Sequence, residues 1–161
     1  GELYERDVDT VDTALHLQTS QPALVAQYAY GTSVDSQPGD PSMMLVTPVR
    51  QFDRDVFLNT VPSEVREFDD WASIVVDAGQ VGGLRLDGAP LTTTFTPVGT
   101  SGYVWGHVHL SALFAADPST GGSHRLTHLT PGVTFAAYAY GWGPAVSYAY
   151  PGGLNLEAVR R

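Results

Sequence analysis

Five histidines, seventeen carboxylates and no cysteine set the chemistry open to this chain. In Gly106-His107-Val108-His109 the H-x-H spacing puts both imidazoles on one face of a strand. His124 and His128 share a face of the next expected strand. Three or four imidazoles meeting across a hairpin would suit zinc. No H-E-x-x-H helix accompanies them and a third ligand must be assumed, so no metal ligand is assigned. Acidic pairs stand at Asp53/Asp55, Asp69/Asp70 and Asp35/Asp40. Calcium favours such oxygen clusters, but there is no D-x-[DN]-x-[DN]-G loop. Asp35 and Asp40 lie in a Ser/Pro/Gly loop, where Asp commonly caps its own backbone. Carboxylates for glycoside hydrolysis need a defined separation in space, which sequence does not show. With no G-x-S-x-G, cysteine or lysine, nucleophilic catalysis has no recognisable start. Gly79-Gln80-Val81-Gly82-Gly83 precedes an expected strand, not a helix, and so aims no helix N-terminus at a phosphate. The expectation is a non-enzymatic chain with no catalytic residue and no cofactor.

Tyrosines offer a different chemistry. They recur at every second position in Tyr138/Tyr140, Tyr148/Tyr150 and Tyr28/Tyr30, with alanine between them. In a strand each pair shares one face and the alanine takes the other. Two readings follow. The alanines line a closely packed wall while the rings are half-buried with hydroxyls reaching water, or the rings form an exposed platform for a ligand. Trp142, set between two glycines in Gly141-Trp142-Gly143-Pro144, reads as a loop-tip residue without cover and favours the second.

The elements that carry these residues are short. Segments rich in Val, Thr, Tyr and Phe alternate with Gly, Pro, Asp and Ser, the pattern of an antiparallel sandwich or barrel. Expected strands are Leu3–Asp9, Ala14–Thr19, Ala23–Tyr30, Met43–Thr47, Asp55–Thr60, Trp71–Asp77, Gly83–Leu86, Leu91–Val98, Tyr103–Leu110, His124–Leu129, Val133–Tyr140 and Ala145–Tyr150. Helical turns are expected only at Glu64–Asp70 and Ala112–Ala116. Asp87-Gly88 should make a hairpin with positive φ at both positions. Gly141–Pro144 should connect the last hairpin, and Thr32–Pro41 should be a longer loop. The fold class is all-β, an antiparallel two-sheet β-sandwich of about ten to twelve strands.

The 161 residues suit one domain over 1–161, read as a fragment of a longer protein. No apolar run approaches the roughly 18 residues of a membrane helix. No signal peptide opens the chain, and Gly1 reads as a cut boundary. A net charge of −9 without a basic cluster leaves no footprint for nucleic acid or for an anionic membrane. All eight basic residues are arginine, and with abundant Ala, Gly and Asp this reads as a GC-rich coding bias pointing to a bacterial source.

Several words of the sequence, in one order, resemble a known family. They are Gly39-Asp40-Pro41-Ser42-Met43-Met44-Leu45-Val46-Thr47-Pro48-Val49-Arg50-Gln51-Phe52, then Ile74-Val75-Val76, then Gly83-Leu84-Arg85-Leu86-Asp87-Gly88. Phe95-Thr96-Pro97-Val98, Ser101-Gly102-Tyr103, Phe135–Gly141 and Ser147-Tyr148-Ala149-Tyr150-Pro151-Gly152-Gly153 follow. The ordered set, from about Leu24 to Leu154, resembles the N-terminal domain family of the IgGFc-binding protein. The resemblance implies a secreted or surface-displayed module without catalytic residues, possessed by a longer chain, and a partner such as the Fc part of immunoglobulin.

The expected function is therefore an extracellular recognition or adhesion module binding a protein or a glycan through loops at one end of the sandwich. Trp142, Tyr148, Tyr150, Asp35 and Asp40 are the candidate contacts. The alternative is a structural spacer or assembly domain of a large surface or matrix protein. A metal-dependent carbohydrate-active enzyme is a distant third.

Overall fold

The computed structural model describes residues 2–8, 14–36, 38–61, 68–116 and 122–156. Among these residues eleven strands run β1 Ala26–Ala29, β2 Ser42–Leu45, β3 Asp55–Asn59, β4 Asp69–Asp77, β5 Leu84–Leu86, β6 Ala89–Pro90, β7 Phe95–Pro97, β8 Tyr103–His109, β9 Ser123–His128, β10 Phe135–Gly143 and β11 Val146–Pro151. Two helices, α1 (Thr32–Asp35) and α2 (Leu110–Ala116), are the only α-helical elements among the described residues. The strands form three antiparallel sheets: β11-β10-β4-β8-β7, β3-β9-β5-β6 and the ribbon β1-β2. The chain is all-β and its two larger sheets form the sandwich.

Alternation builds the core. On β4 the even-numbered residues Ala72, Ile74 and Val76 are buried, and Phe135, Ala137 and Ala139 of β10 lie beside them. From the facing sheet come Val56 and Leu58 of β3, Leu84 and Leu86 of β5 and Leu126 of β9. Leu110, the first residue of α2, closes one end. Each fully buried aliphatic or Phe side chain contributes about 1.5–3 kcal/mol relative to exposure. The alanines of β10 are the small positions that let the two sheets approach. At one margin Asp53 exchanges two backbone bonds with Phe135 (3.0 and 2.8 Å), linking the approach to β3 with the opposite sheet.

The other face of the five-stranded sheet is also partly covered. Phe52, Ala136 and Tyr138 are buried there against Met44, Val46, Val75 and Tyr103. The β1-β2 ribbon supplies Met44, with Val46 just beyond it. Tyr138 is fixed by Thr47, whose N–H donates to its hydroxyl at 3.1 Å.

Several expectations are corrected. Residues 3–8 and 14–19 are not strands, and Asp9 lies outside the described residues. Their large apolar side chains, Leu3, Tyr4, Leu15 and Leu17 among them, are exposed, so alternation in the sequence found no sheet to pair with. Leu91–Val98 is not one strand. Only Phe95–Pro97 pairs there, as β7, while β6 precedes it at Ala89–Pro90. Of Glu64–Asp70, residues 64–67 lie outside the described residues, and Asp69 and Asp70 begin β4 rather than ending a helix. Thr32–Pro41 opens with the single helical turn α1. Asp87 (φ 52°) and Gly88 (φ 82°) make the expected hairpin turn between β5 and β6.

Candidate functional site

Trp142 is not at a loop tip. It lies within β10, opposite Asp69 of β4 and Ser147 of β11, and the turn comes one step later at Pro144 and Ala145. Ala145 takes the positive φ (55°) of that turn. The indole is half-buried and stacks beside Tyr140, with centroids 5.9 Å apart and planes at 24°.

The Thr32–Pro41 segment comes down on this hairpin. Thr32 closes the segment on itself, its hydroxyl donating to Gly39 C=O at 2.7 Å. Asp40 N–H donates to Ser147 Oγ at 3.1 Å. Gly39 has φ 121°, and a Cβ there would stand 2.5 Å from Ser147 Oγ and 3.2 Å from Trp142 Cβ. Only glycine fits both the conformation and the space. The result is an open cleft of about 520 Å³ lined by Thr32, Ser33, Asp40, Pro41, Pro144 and Ala145. Asp40 is exposed at the cleft, and Asp35 is the last residue of α1. The two surfaces that the sequence offered separately, Trp142 and the Thr32–Pro41 segment, are neighbours in space.

Tyr148 and Tyr150 take the opposite face. On β11 they turn toward the sandwich interior, half-buried, and pack against the core. Their rings stack with centroids 6.0 Å apart. Tyr148 OH donates to Asp70 Oδ1 at 2.6 Å, and Tyr150 OH donates to Asn59 C=O and accepts from Asn59 N–H, both at 2.6 Å. Burial pushes both phenols above their ordinary pKa, and the Asp70 carboxylate adds to the rise at Tyr148. Burial likewise raises the carboxyl of Asp70 itself, against the lowering effect of its bonds from Tyr148 and Ser111. These tyrosines are structural posts of the hairpin, and the structure does not bring them to one surface with Trp142.

The outer face of the five-stranded sheet holds what the tyrosine pattern did not reveal. Registers of β10, β4 and β8 place Tyr140 opposite Trp71 and Trp71 opposite His109. His109 stacks on Trp71 (4.4 Å, 15°), and its Nε2–H donates to Asp69 Oδ1 at 2.6 Å. His107 stands edge-on to Trp71, Trp105 and Tyr140, with its Nδ1 2.7 Å from the Tyr140 hydroxyl. Burial, and next the negative charge of Asp69, keep the Tyr140 phenol protonated far above neutral pH. Among the described residues, the buried indole N–H groups of Trp71 and Trp105 have no acceptor. The signal was present in Tyr103-Val104-Trp105-Gly106-His107-Val108-His109, whose alternate residues are aromatic or imidazole. It has the same period of two that drew attention to the tyrosines.

The remaining imidazoles lie elsewhere. β9 belongs to the other sheet, so His124 and His128 do not meet His107 and His109. His124 is buried, with Nδ1–H donating to Asp87 Oδ2 at 2.8 Å, and His128 Nε2–H donates to Gln80 C=O at 2.8 Å. Among the described residues no three His, Asp or Glu side chains are grouped to hold a metal ion. The acidic pairs separate as well: Asp55 bonds Arg125, while Asp69 and Asp70 point to opposite faces of β4. What the site offers is stacked rings, one imidazole–carboxylate pair and an adjoining cleft, a surface suited to contact with a partner.

Comparison with known proteins agrees with a contact role. A family model described as IgGFc binding protein matches residues 1–141. The match takes in Asp35, Asp40 and the aromatic–imidazole face, with Trp142, Tyr148 and Tyr150 just past its end. Neither the curated proteins nor the solved structures give a significant match. No helix among the described residues is long and apolar enough to cross a membrane. The family is of binding type, and its model spans most of this sequence: the chain belongs to the IgGFc binding protein family.

Proposed function

We propose that this chain is an extracellular, non-enzymatic recognition module that binds a protein ligand, with immunoglobulin Fc as the first ligand to test. It would be one domain of a longer secreted or surface protein, of bacterial type. The binding surface is the cleft between Thr32–Pro41 and the β10–β11 turn, with Asp40 in its lining, Asp35 nearby in the same segment, and Trp142 adjoining it where Gly39 sits on the hairpin. Tyr148 and Tyr150 serve it from beneath by fixing the hairpin. The observation that carries this reading is the seating of Gly39 on Trp142 and Ser147, which joins two distant segments into one concave surface. Concave surfaces with an aromatic at the centre and polar groups at the rim are where binding energy concentrates.

Titration of the purified chain against Fc, intact and deglycosylated, by biolayer interferometry tests it. Trp142→Ala should weaken binding by more than about 1 kcal/mol. Loss of binding on deglycosylation would move the ligand from protein to glycan. An unchanged affinity for Trp142→Ala would remove the cleft from the interface. A second reading, a spacer or assembly domain, draws on the tyrosines of β10 and β11, three of whose hydroxyls are tied to the fold through Thr47, Asp70 and Asn59. It predicts no binding to either form of Fc.

A further inference from the structure

The β1-β2 ribbon has an open side. β1 pairs only with β2 among the described residues. Val46 N–H donates to Val25 C=O at 2.9 Å, and Val25 stands opposite Val46 in this register. Antiparallel ladders alternate bonded and non-bonded pairs. The backbones of Val25, Gln27 and Ala29 therefore serve β2, and those of Ala26 and Tyr28 turn to the open edge. The ribbon's faces divide in the same way. Met44 faces the five-stranded sheet, while Tyr28, Met43 and Leu45 are exposed by 72%, 51% and 43%.

Edges of this kind are ordinarily blunted by charge, proline or a bulge. β1 has none of these in Ala26-Gln27-Tyr28-Ala29, and from Leu17 to Val34 the chain carries no charged residue. In a chain of net charge −9, β1 itself brings no like charge to a contact between copies, and the nearby Asp7 carboxylate accepts from Tyr30 OH at 2.8 Å just beyond the strand. A two-stranded ribbon is also marginal alone and gains from further strands.

We propose that β1 is the interface of a symmetric dimer, in which a second copy adds its own β1 antiparallel to make a four-stranded sheet β2-β1-β1-β2. A two-fold axis at Gln27 lets Ala26 of each copy exchange both backbone bonds with Tyr28 of the other. That register sets each large Tyr28 ring over a small Ala26, and the surface is self-complementary as a two-fold contact requires. This interface lies outside the proposed ligand cleft and stands whether or not the chain binds Fc.

Sedimentation velocity over a concentration series, with hydrogen exchange on the same samples, tests it. The dimer fraction should rise with concentration, and the amides of Ala26 and Tyr28 should gain protection in step, with Gln27 and Ala29 unchanged. Ala26→Pro removes only the outward N–H and keeps the ladder to β2, so it should weaken dimerisation by at least about tenfold while leaving the monomer's fold intact. Tyr28→Lys, which charges the edge without touching the backbone, should do the same. A chain that stays monomeric at every concentration overturns the proposal. So does a dimer whose Ala26 and Tyr28 amides exchange freely, or one as tight in both variants as in the parent.

Discussion

Replacing Tyr148 by Phe removes a single oxygen from the interior and tests how β11 is held. That hydroxyl donates to Asp70 Oδ1 at 2.6 Å, and Asp70 is only 4% exposed. Ser111 Oγ makes only a long bond of 3.5 Å, and to Oδ2, so it does not replace the phenol at Oδ1. Hydrogen bonds to charged groups contribute roughly 1.5–3 kcal/mol, and a half-buried ring places this one at the lower end, about 1.5–2 kcal/mol at pH 7. The cost should depend on pH. Burial raises the Asp70 carboxyl above its ordinary value, so between the unfolded and folded values the native state holds the extra proton. The contribution of Asp70 to stability accordingly falls as pH rises through that interval. Tyr148→Phe deletes a bond that favours the charged form, so it moves the folded value higher still. Below the interval Asp70 is neutral in both states and the lost bond is an ordinary one, of about 0.5–1 kcal/mol. Urea unfolding of parent and variant at pH 7 and at about pH 3 reads both figures. Taking the difference between the two proteins at each pH cancels the other carboxylates, Asp55 with Arg125 among them. An equal penalty at the two pH values, or one below about 0.5 kcal/mol at neutral pH, would refute the assigned bond.

Two further substitutions probe the packing that supports the hairpin. Gly152→Ala places a Cβ 2.5 Å from both Leu58 Cδ2 and Val56 Cγ1, two residues with almost no exposure. The overpacking should cost about 1–3 kcal/mol in urea denaturation. Asp87→Ala leaves buried His124 without its carboxylate and Arg125 N–H without its acceptor, and holds alanine at φ 52°. It should destabilise by about 1–3 kcal/mol, and Asp87→Asn, which tolerates that backbone and still accepts, should recover at least half of the loss in the same assay.

Periodicity of two located nine of the eleven strands found among the described residues to within a few residues, most clearly β3, β4 and β5, where buried and less buried residues alternate. It failed at Leu3–Asp9 and Ala14–Thr19, where the residue types suit a strand but, over the described residues, no neighbour supplies a ladder. It also divided β10 too early. Gly-Trp-Gly-Pro reads as a turn from composition, yet Gly141 and Gly143 are buried strand residues and the bend falls on Pro144 and Ala145. That error put Trp142 at a tip. Alternation alone also cannot say which face is which. Ala137 and Ala139 do line the core, as the packed-wall reading required, while Tyr138 is buried on the far side of the same sheet by a ribbon more than ninety positions away in sequence. Tyr148 and Tyr150 follow the opposite assignment, with their rings inward. The aromatic–imidazole face was legible in Tyr103–His109 but depends on β4 and β10 flanking one another, which is a matter of topology.

The position of β4 has a consequence for how the molecule comes to exist. It is the middle strand of its sheet, and its partner β10 enters 59 to 73 positions later in the chain. Contacts so far apart are slow to form, because a long segment must be closed before any of them is made. A nascent chain that has reached only β9 carries β4 with one edge unpaired, and its core lacks Phe135, Ala137 and Ala139. Such a species is sticky, and synthesis must run through the last tyrosines before the sandwich can shut.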